Sequence, residues 1–261
     1  MKNLFFFLFL ILLVWSCKNE TTIPVVKPVP TISDFSNEGS DAKAVTIADR
    51  VIVASGGMRA WEEIKAIKWN FFGRRWLLWD KVNQKVRIEN VQNDTKLILD
   101  LQTMNGKVFK YGKEWNDRDT LKKYLEGAYK TWINDVYWLA MPFKMKDGGV
   151  HLHYLKEDTT RTGIASDVIS MTFDSVGVTP KNRYEVWVGK NSNLVAQWAY
   201  FPNNKDTVPA IISPWDSYVK YGGVFLSSDR GENRQMSGIK TYASIAPEVF
   251  TNFEPIDFEH F

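Results

Sequence analysis

Two histidines two residues apart are the first side chains whose spacing could support chemistry. His151 and His153 flank Leu152 in an apolar run, and residues i and i+2 of a strand point to the same face. Two imidazoles on one face can share a cation such as zinc. The groups that could complete such a site are Asp147, Glu157, Asp158 and His260. Because no third ligand stands at a fixed spacing, we predict no metal, and a metal-dependent enzyme using both histidines is the alternative.

The other reactive side chains form no recognisable catalytic set. Glu62-Glu63 and Glu157-Asp158 are paired carboxylates, but sequence neighbours do not converge on one bond as the two acids of a glycosidase must. The chain contains no G-x-S-x-G motif and no glycine-rich phosphate loop. Arg74-Arg75 stands beside two tryptophans, where it could bind an anion, stack on a sugar or cover a strand at the surface. We therefore expect a protein that is not an enzyme and needs no cofactor.

The single cysteine, Cys17, follows an apolar run of twelve residues, Leu4–Trp15, that begins just after Lys2. This run is shorter than the roughly 20 residues that a membrane span needs, and it is typical of a secretory signal. The motif Val14-Trp15-Ser16-Cys17 resembles the lipobox of bacterial lipoproteins. The resemblance implies removal of a signal peptide, residues 1–16, and lipidation of Cys17, so that the protein is anchored to a membrane of the cell envelope. An ordinary secretory signal with an incidental cysteine is the alternative.

Residues 17–41 begin with the cysteine that the lipobox resemblance implies to be lipidated. The polar stretch after it contains three prolines, which indicates a flexible tether. Lys18 follows the cysteine, where an aspartate is linked in some bacteria to retention at the inner membrane; by resemblance we expect the outer membrane. The formal net charge of +3, from 33 basic and 30 acidic residues, does not indicate a nucleic-acid partner. Residues 42–261 are long enough for one domain, which we expect to be a monomer.

Hydrophobic periodicity predicts how this domain is built. Ala42–Ala54 has helical spacing, with Ser40 or Asp41 as its cap and two glycines after it. Period-two runs between Ala66 and Trp115, separated by short polar turns such as Asn105-Gly106, predict an antiparallel meander. Thr120–Trp132 is the clearest helix.

The second half of the chain is again rich in predicted strands. Val136–Phe143 is apolar, but Pro142 argues for a buried loop or an edge segment there. Ile211–Tyr221 is predicted to be a loop or a short helix. The predicted strands are Val150–Leu155, Val168–Phe173, Tyr184–Gly189, Leu194–Phe201, Tyr221–Ser227 and Lys240–Ile245. Without helix–strand alternation or a fixed repeat, these patterns favour a single α+β domain with antiparallel sheet.

Several segments also resemble known envelope proteins. Gly56-Gly57-Met58-Arg59-Ala60-Trp61 leads into the strands, and Thr179-Pro180 precedes Tyr184-Glu185-Val186-Trp187-Val188. Leu194-Val195 and Trp198 follow. This pattern resembles a family of uncharacterised lipoproteins from Bacteroidetes-type bacteria and, more distantly, the LolA/LolB-type lipoprotein carriers and related lipid-binding lipoproteins. The resemblance implies a curved open antiparallel sheet, a half-barrel, with helices across its concave face and an acyl chain held between them.

The aromatic content, with 11 Trp, 10 Tyr and 16 Phe, exceeds what a small core usually needs. A cavity for an apolar ligand, a lipid or the acyl chain of a lipoprotein, would use that excess. Aromatic platforms for glycans and plain core packing are the competing uses. The residues expected to line the cavity are Trp69, Phe71, Leu97 and Leu99 on the sheet and Trp132 and Trp138 on its cover. Their strand parity depends on Gly73, which is a candidate β-bulge. An interaction or scaffold lipoprotein with a packed core is the rival function.

Overall fold

The computed structural model of the protein describes residues 34–174 and 179–261, so the signal peptide, Cys17 and most of the tether lie outside the described residues. The helices are α1 (Ala42–Ala54), α2 (Met58–Glu63) and α3 (Arg118–Ala140). The strands before α3 are β1 (Ala66–Phe71), β2 (Arg75–Asp80), β3 (Lys85–Asn90), β4 (Lys96–Asp100), β5 (Gly106–Lys110) and β6 (Lys113–Trp115). Those after it are β7 (Val150–Thr159), β8 (Ala165–Phe173), β9 (Arg183–Gly189), β10 (Val195–Phe201), β11 (Ile211–Pro214), β12 (Asp216–Tyr221), β13 (Val224–Asp229) and β14 (Met236–Tyr242).

Helix α1 has the bounds that its periodicity predicted. It ends at two glycines with positive φ, Gly56 (+113°) and Gly57 (+85°). A Cβ on Gly56 would stand 2.6 Å from the carbonyl oxygen of Gly223, so that this close approach requires glycine. Asp41 occupies the N-cap position, but its side chain accepts no hydrogen bond from the helix. Its Oδ2 accepts from the backbone N–H of Tyr154 at 2.8 Å instead. The predicted cap is therefore a link to β7.

Helix α3 is longer than predicted. It begins after Asp117, whose Oδ2 accepts from the N–H of Thr120 at 2.9 Å, and it continues past Trp132 to Ala140. The predicted loop or edge segment at Val136–Phe143 is wrong: the helix runs into a 3-10 helix, Met141–Phe143. Pro142 is tolerated because it stands in the first turn of that 3-10 helix, where its missing N–H would have no helical partner.

The strands of the described ranges form three antiparallel sheets. The seven-stranded sheet has the order β14-β1-β2-β3-β4-β5-β6, and the five-stranded sheet has the order β11-β10-β9-β8-β7. Strands β12 and β13 pair with each other. The predicted loop or short helix at Ile211–Tyr221 is wrong, because β11 and β12 occupy it; short edge strands around a proline carry little periodic signal. The α+β class and the antiparallel pairing are confirmed, and the sheets are not closed.

Gly73 belongs to a tight turn and is not a β-bulge. Strands β1 and β2 pair without interruption from Ala66 opposite Asp80 to Phe71 opposite Arg75. The register shift lies on the other side of β1, next to Gly238 of β14. Asn105-Gly106 is not the turn either, since the chain reverses just before it and Gly106 starts β5. A Cβ on Gly106 would stand 2.0 Å from the carbonyl oxygen of Ile98, which explains the glycine.

The seven-stranded sheet is covered on both faces. One face packs against α1, α3 and the five-stranded sheet and forms the main hydrophobic core. The other face packs against the chain after β14, where the ring of Trp76 stacks on Phe258 with centroids 5.3 Å apart. Arg87, 0% exposed, donates to the carbonyl oxygens of Val249 (3.0 Å) and Glu254 (2.8 Å), which holds this C-terminal segment, residues 245–261, on the sheet. None of the helices in the described part of the chain combines the length and apolarity of a membrane span.

Candidate functional site

The six residues predicted to bind a ligand lie in one cluster. Trp69 and Phe71 come from β1, Leu97 and Leu99 from β4, and Trp132 and Trp138 from α3. The intervening side chains point away, as Ile98 shows by packing on the opposite face of the sheet. Trp138 meets Phe71 edge to face with centroids 6.5 Å apart. The alternation of the strands and the stripe of α3 thus bring together residues that are up to 69 positions apart (138 − 69).

These side chains fill the interior of the described structure. Their exposed fractions are 0% for Trp69, 4% for Phe71, 7% for Leu97, 0% for Leu99, 2% for Trp132 and 9% for Trp138. A side chain that lined a cavity large enough for water would expose surface to it, so an open cavity does not adjoin most of them. A surface depression of about 410 Å³ lies elsewhere. Its walls are formed by Arg161, Val208, Pro209, Ala210, Ile211, Ile212, Glu232 and Arg234.

The interior contains two groups of contacting aromatic rings, one around Trp132 and one around Trp198, and several of their indole N–H groups lack partners. Trp79 meets Trp132 at 5.3 Å, and Trp198 meets Trp138 at 4.6 Å and Trp215 at 5.9 Å. These contacts are edge to face, a geometry in which an indole N–H can donate a weak hydrogen bond to the face of a ring. Five buried indole N–H groups in the described chain have no hydrogen-bond acceptor: those of Trp69, Trp79, Trp132, Trp198 and Trp215. A buried donor without an acceptor costs about 1–3 kcal/mol, so this concentration in one core calls for an explanation.

The two histidines contact the segment that precedes α1. The Nε2 atom of His151 lies 2.8 Å from Oδ2 of Asp174, and its Nδ1 lies 3.2 Å from the carbonyl oxygen of Glu38. His153 faces Asp41, with Nδ1 and Oδ1 3.6 Å apart. In the described ranges, no three His, Cys, Asp or Glu side chains are arranged to hold a metal ion. Residues 38–41, which the sequence assigned to the tether, thus lie against the edge of β7, where the N–H of Asp41 also donates to the carbonyl oxygen of Leu152 at 2.8 Å.

The paired carboxylates are engaged in separate surface ion pairs. Glu157 binds Lys190 at 2.7 Å, and Asp158 binds Lys156 at 2.9 Å. Each lysine lowers the pKa of its carboxyl partner through a side-chain hydrogen bond. Glu63 pairs with Arg59 at 3.0 Å, one helical turn away. These carboxylates lie in separate ion pairs and do not converge on a common point, as the sequence analysis expected of neighbouring acids.

Arg75 forms an ion pair with the buried carboxylate of Asp135, which none of the three uses suggested for the Arg74-Arg75 pair anticipated. Its guanidinium lies 4.6 Å from the ring of Phe71 and donates two hydrogen bonds of 2.6 Å to the carboxylate of Asp135 on α3. The side chain of Asp135 is fully buried. Burial raises the pKa of Asp135, and the hydrogen bonds from Arg75 offset part of that rise. An acidic residue inside the apolar stripe of α3, three positions after Trp132, was the available sequence signal.

Lys81 is a second charge that the sequence reasoning missed. Its Nζ lies 3.8 Å from the ring centroid of Trp61 and donates to the carbonyl oxygen of the same residue. Burial lowers the pKa of Lys81 to about 7, with smaller effects from nearby charges, of which Glu62 raises it and Lys65 lowers it. No described carboxylate lies within 4.0 Å of this amine. A lysine in a polar turn between two strands gives no sign of this environment in the sequence.

Arg230 is a fully buried cation at the C-terminal end of α3. Its guanidinium donates to the carbonyl oxygen of Trp138 at 2.6 Å and to Oγ of Ser227 at 2.6 Å, and it lies 3.7 Å from the ring of Trp215. The carbonyl groups at a helix C-terminus favour a positive charge, so Arg230 caps α3. Burial nevertheless lowers the pKa of Arg230 to about 9.

The fold and this interior define an α+β protein of open antiparallel sheets around an aromatic core. No family model matches the chain, and no curated protein matches it. A solved structure of a DUF1329 family protein from Desulfovibrio piger is a distant neighbour, with 12% identity, 79% of this chain and 96% of that chain covered, and a TM-score of 0.42. At that similarity it says nothing about function. These comparisons do not support the resemblance to Bacteroidetes-type lipoproteins or to the LolA/LolB-type carriers.

Proposed function

We propose that the protein is a non-catalytic envelope lipoprotein that binds an apolar ligand, a lipid or the acyl chain of a lipoprotein, between α3 and the seven-stranded sheet. In this proposal the sheet acts as a half-barrel with the helices across its concave face. The ligand-binding residues are the six predicted ones, which we call the aromatic cluster: Trp69, Phe71, Leu97, Leu99, Trp132 and Trp138. Cys17 carries the lipid that anchors the protein to the outer membrane, and the protein acts as a monomer.

The observation that carries the proposal is the set of indole N–H groups without acceptors. All five donors lie in the main core where the ligand was expected, those of Trp69 and Trp132 among the predicted binding residues. The rings of Trp198 and Trp215 contact each other, and Trp198 also contacts the predicted binding residue Trp138. Acyl groups end in ester, amide or carboxyl oxygens, which accept hydrogen bonds, and their chains suit the aromatic walls. A ligand with both parts would satisfy donors that the protein alone leaves unpaired.

Binding must open an interior that is filled in the described structure. Each methylene moved from water into an apolar site contributes about 0.8 kcal/mol, so an acyl chain of sixteen carbons gains on the order of 10 kcal/mol. The free energy of displacing side chains or part of α3 must be smaller than this gain for the ligand to bind. If opening the interior costs less free energy than burial of the acyl chain gains, the open, ligand-bound conformation is populated when lipid is present.

Quenching of tryptophan fluorescence by a brominated fatty acid tests the proposal, because bromine quenches only indoles that it contacts. Titration of the purified full chain with 9,10-dibromostearate should quench its fluorescence with saturation near one ligand per chain. The fraction quenched should fall in Trp132→Phe, which removes an indole at the proposed site. Trp76→Phe is the matched control, since Trp76 lies on the opposite face of the sheet; its removal should raise the fraction quenched.

A scaffold lipoprotein with a packed core is the second candidate, and the near-zero exposure of Trp69, Leu99 and Trp132 favours it. This alternative predicts no saturable quenching and no lipid in native mass spectra after gentle extraction. Co-purified lipid that is released by competition with dibromostearate would exclude it. A chain that neither carries lipid nor responds to the brominated probe would leave only the scaffold.

The anchor is tested separately, because it does not depend on the interior. Metabolic labelling with a palmitate analogue should mark the wild-type chain, and Cys17→Ala should lose the label. Equal labelling of both would refute lipidation at Cys17. Elemental analysis tests the enzyme alternative: stoichiometric zinc or iron that is lost when His151 and His153 are both changed to Ala would overturn the non-catalytic assignment.

A further inference from the structure

Arg230 carries a charge that no acid of the described chain neutralises. No described carboxylate oxygen lies within 4.0 Å of its guanidinium, and its hydrogen bonds go to neutral oxygens of Trp138, Ser227 and Asp229. Tyr218 and Asp229 are the nearby titratable groups, and the carboxylate of Asp229 accepts from the N–H of Gly231 at 2.7 Å. Burying an unpaired cation is costly, so proteins usually supply a counter-ion.

Among the described residues, two hydrogen-bond donors at this charge are free, and a third lies one aromatic ring further away. The Nε–H group of Arg230 has no acceptor, nor has the indole N–H of Trp215, whose ring stacks on the guanidinium, or that of Trp198, which contacts Trp215. All three side chains are at least 98% buried, with exposed fractions of 0, 2 and 1%. A buried positive charge with three unsatisfied donors has the composition of a site for an anion that accepts several hydrogen bonds.

We propose that Arg230 binds the carboxylate of a long-chain fatty acid, with Trp215 and Trp198 donating to its oxygens. This inference rests on the proposed function, because it places the polar end of the same apolar ligand. The rings of Trp198, Trp138 and Phe71 lead from Arg230 to the aromatic cluster, with successive centroids 4.6 and 6.5 Å apart. The acyl chain lies along these rings, and its charged end replaces the missing counter-ion.

The surface depression beside β11 provides the entrance. Its walls include Ile211 and Ile212 of β11, and the next residue, Ser213, donates through Oγ to the carbonyl oxygen of Arg230 at 2.8 Å. Strand β11 has four residues, stands at the edge of its sheet and pairs only with β10. Short edge strands are among the first elements of a fold to open, and opening here would move Trp215 away from Arg230. Arg161 adds a positive charge at the depression, whereas Arg234 there pairs with Glu232 at 2.6 Å. The net positive charge attracts an anion toward this edge.

The test compares two probes that differ only in charge, 9,10-dibromostearate and its methyl ester, on the full chain. We expect the carboxylate to bind at least tenfold more tightly than the ester. Arg230→Met should reduce this ratio to about one while the ester still binds, and Arg234→Gln, a rim control, should keep most of it. If Arg230→Met does not fold, Trp215→Phe removes one donor while it keeps an aromatic ring beside the guanidinium, and it should lower the ratio severalfold. Sodium acetate at millimolar concentration should not compete, since the headgroup alone lacks the chain.

Each outcome decides the inference. Equal affinity for the two probes in the wild type would overturn it and would leave Arg230 as a cap of α3, while the proposed function would survive because both probes bind. A preference for the carboxylate that persists in Arg230→Met would place the anion elsewhere. Competition by acetate would identify a site for small anions and not for fatty acids. Failure of both probes to bind would refute the inference together with the proposed function.

Discussion

Replacement of Arg75 by Met is expected to destabilise the protein in a strongly pH-dependent way. The carboxylate of Asp135 is fully buried, and two 2.6 Å hydrogen bonds from Arg75 are its main stabilising contacts, with one more from Asn134 at 3.0 Å. Removing one partner of a buried ion pair costs about 3–5 kcal/mol, because the other charge stays in the interior. The side chain of Met fills most of the space over Phe71, so the change acts mainly on the charge.

In Arg75→Met the buried carboxyl group of Asp135 can take up a proton and so avoid an unpaired charge. The cost of that protonation sets the loss of stability at pH 7. The ordinary pKa of this Asp is 3.8. Protonating it at pH 7 costs about 4 kcal/mol, since one pKa unit corresponds to about 1.4 kcal/mol. In the variant the folded state then holds a proton that the unfolded state releases, so its stability falls as the pH rises above the ordinary pKa. Because burial also raises the pKa of Asp135 in the wild type, the loss relative to wild type should shrink by at most about 1.4 kcal/mol for each pH unit as the pH falls from 7 to 5.

Urea denaturation of the purified protein, followed by tryptophan fluorescence at several pH values, measures this loss. Arg74→Met is the matched control, because Arg74 is the exposed neighbour and its replacement should change the free energy of unfolding by less than about 0.5 kcal/mol. Asp135→Asn removes the charge itself and should show a smaller loss without the pH slope. A loss in Arg75→Met that is the same at pH 5 and pH 7 would refute the assignment of a buried carboxylate that depends on Arg75.

Three further predictions, made with four substitutions, test other parts of the structure. Gly127→Ala should raise the free energy of unfolding by about 1 kcal/mol, because nothing lies within 4 Å of the added Cβ in α3. Gly106→Ala should lower it strongly, because the added Cβ would stand 2.0 Å from the carbonyl oxygen of Ile98. Urea titrations in which the two variants change stability alike would contradict this prediction. The pKa of Lys81, about 7 when folded against 10.5 otherwise, means that the unfolded state binds more protons between these values. Stability should therefore rise from pH 7 to about 10, and Lys81→Met should flatten that rise in denaturation curves. Arg87→Met removes the hydrogen bonds to the carbonyl oxygens of Val249 and Glu254 and should loosen the C-terminal segment. Chymotrypsin should then cleave this segment faster than in the wild type. Cleavage at the wild-type rate would contradict the prediction.

Local patterns were sufficient for the elements that depend on near neighbours in the chain. The bounds of α1 follow from a helical stripe that stops at Gly56 and Gly57, and both features act within a few residues. The meander of β1–β5 follows from period-two alternation, which also placed Trp69 and Leu99 on the same face of the sheet. These predictions hold because backbone sterics and side-chain direction are local properties.

Contacts between distant segments required the tertiary structure. Helix α3 continues to Ala140 because its last turns pack in the main core, and it ends two residues before Pro142, as the local rule for proline requires. Arg75 and Asp135 are 60 positions apart (135 − 75), and Arg230 and Trp138 are 92 apart (230 − 138), so no spacing in the sequence links them. Residues 38–41 have the composition of a tether and still cover the edge of β7.

The sequence by itself determined which residues form the aromatic interior, but not whether that interior is filled. A cavity wall and a packed core need the same apolar side chains at the same alternating positions, so composition and periodicity cannot distinguish them. The exposure of Trp69, Leu99 and Trp132 depends on how closely α3 approaches the sheet. That distance is set by the sum of many side-chain contacts across the two layers, and only the folded structure decides it.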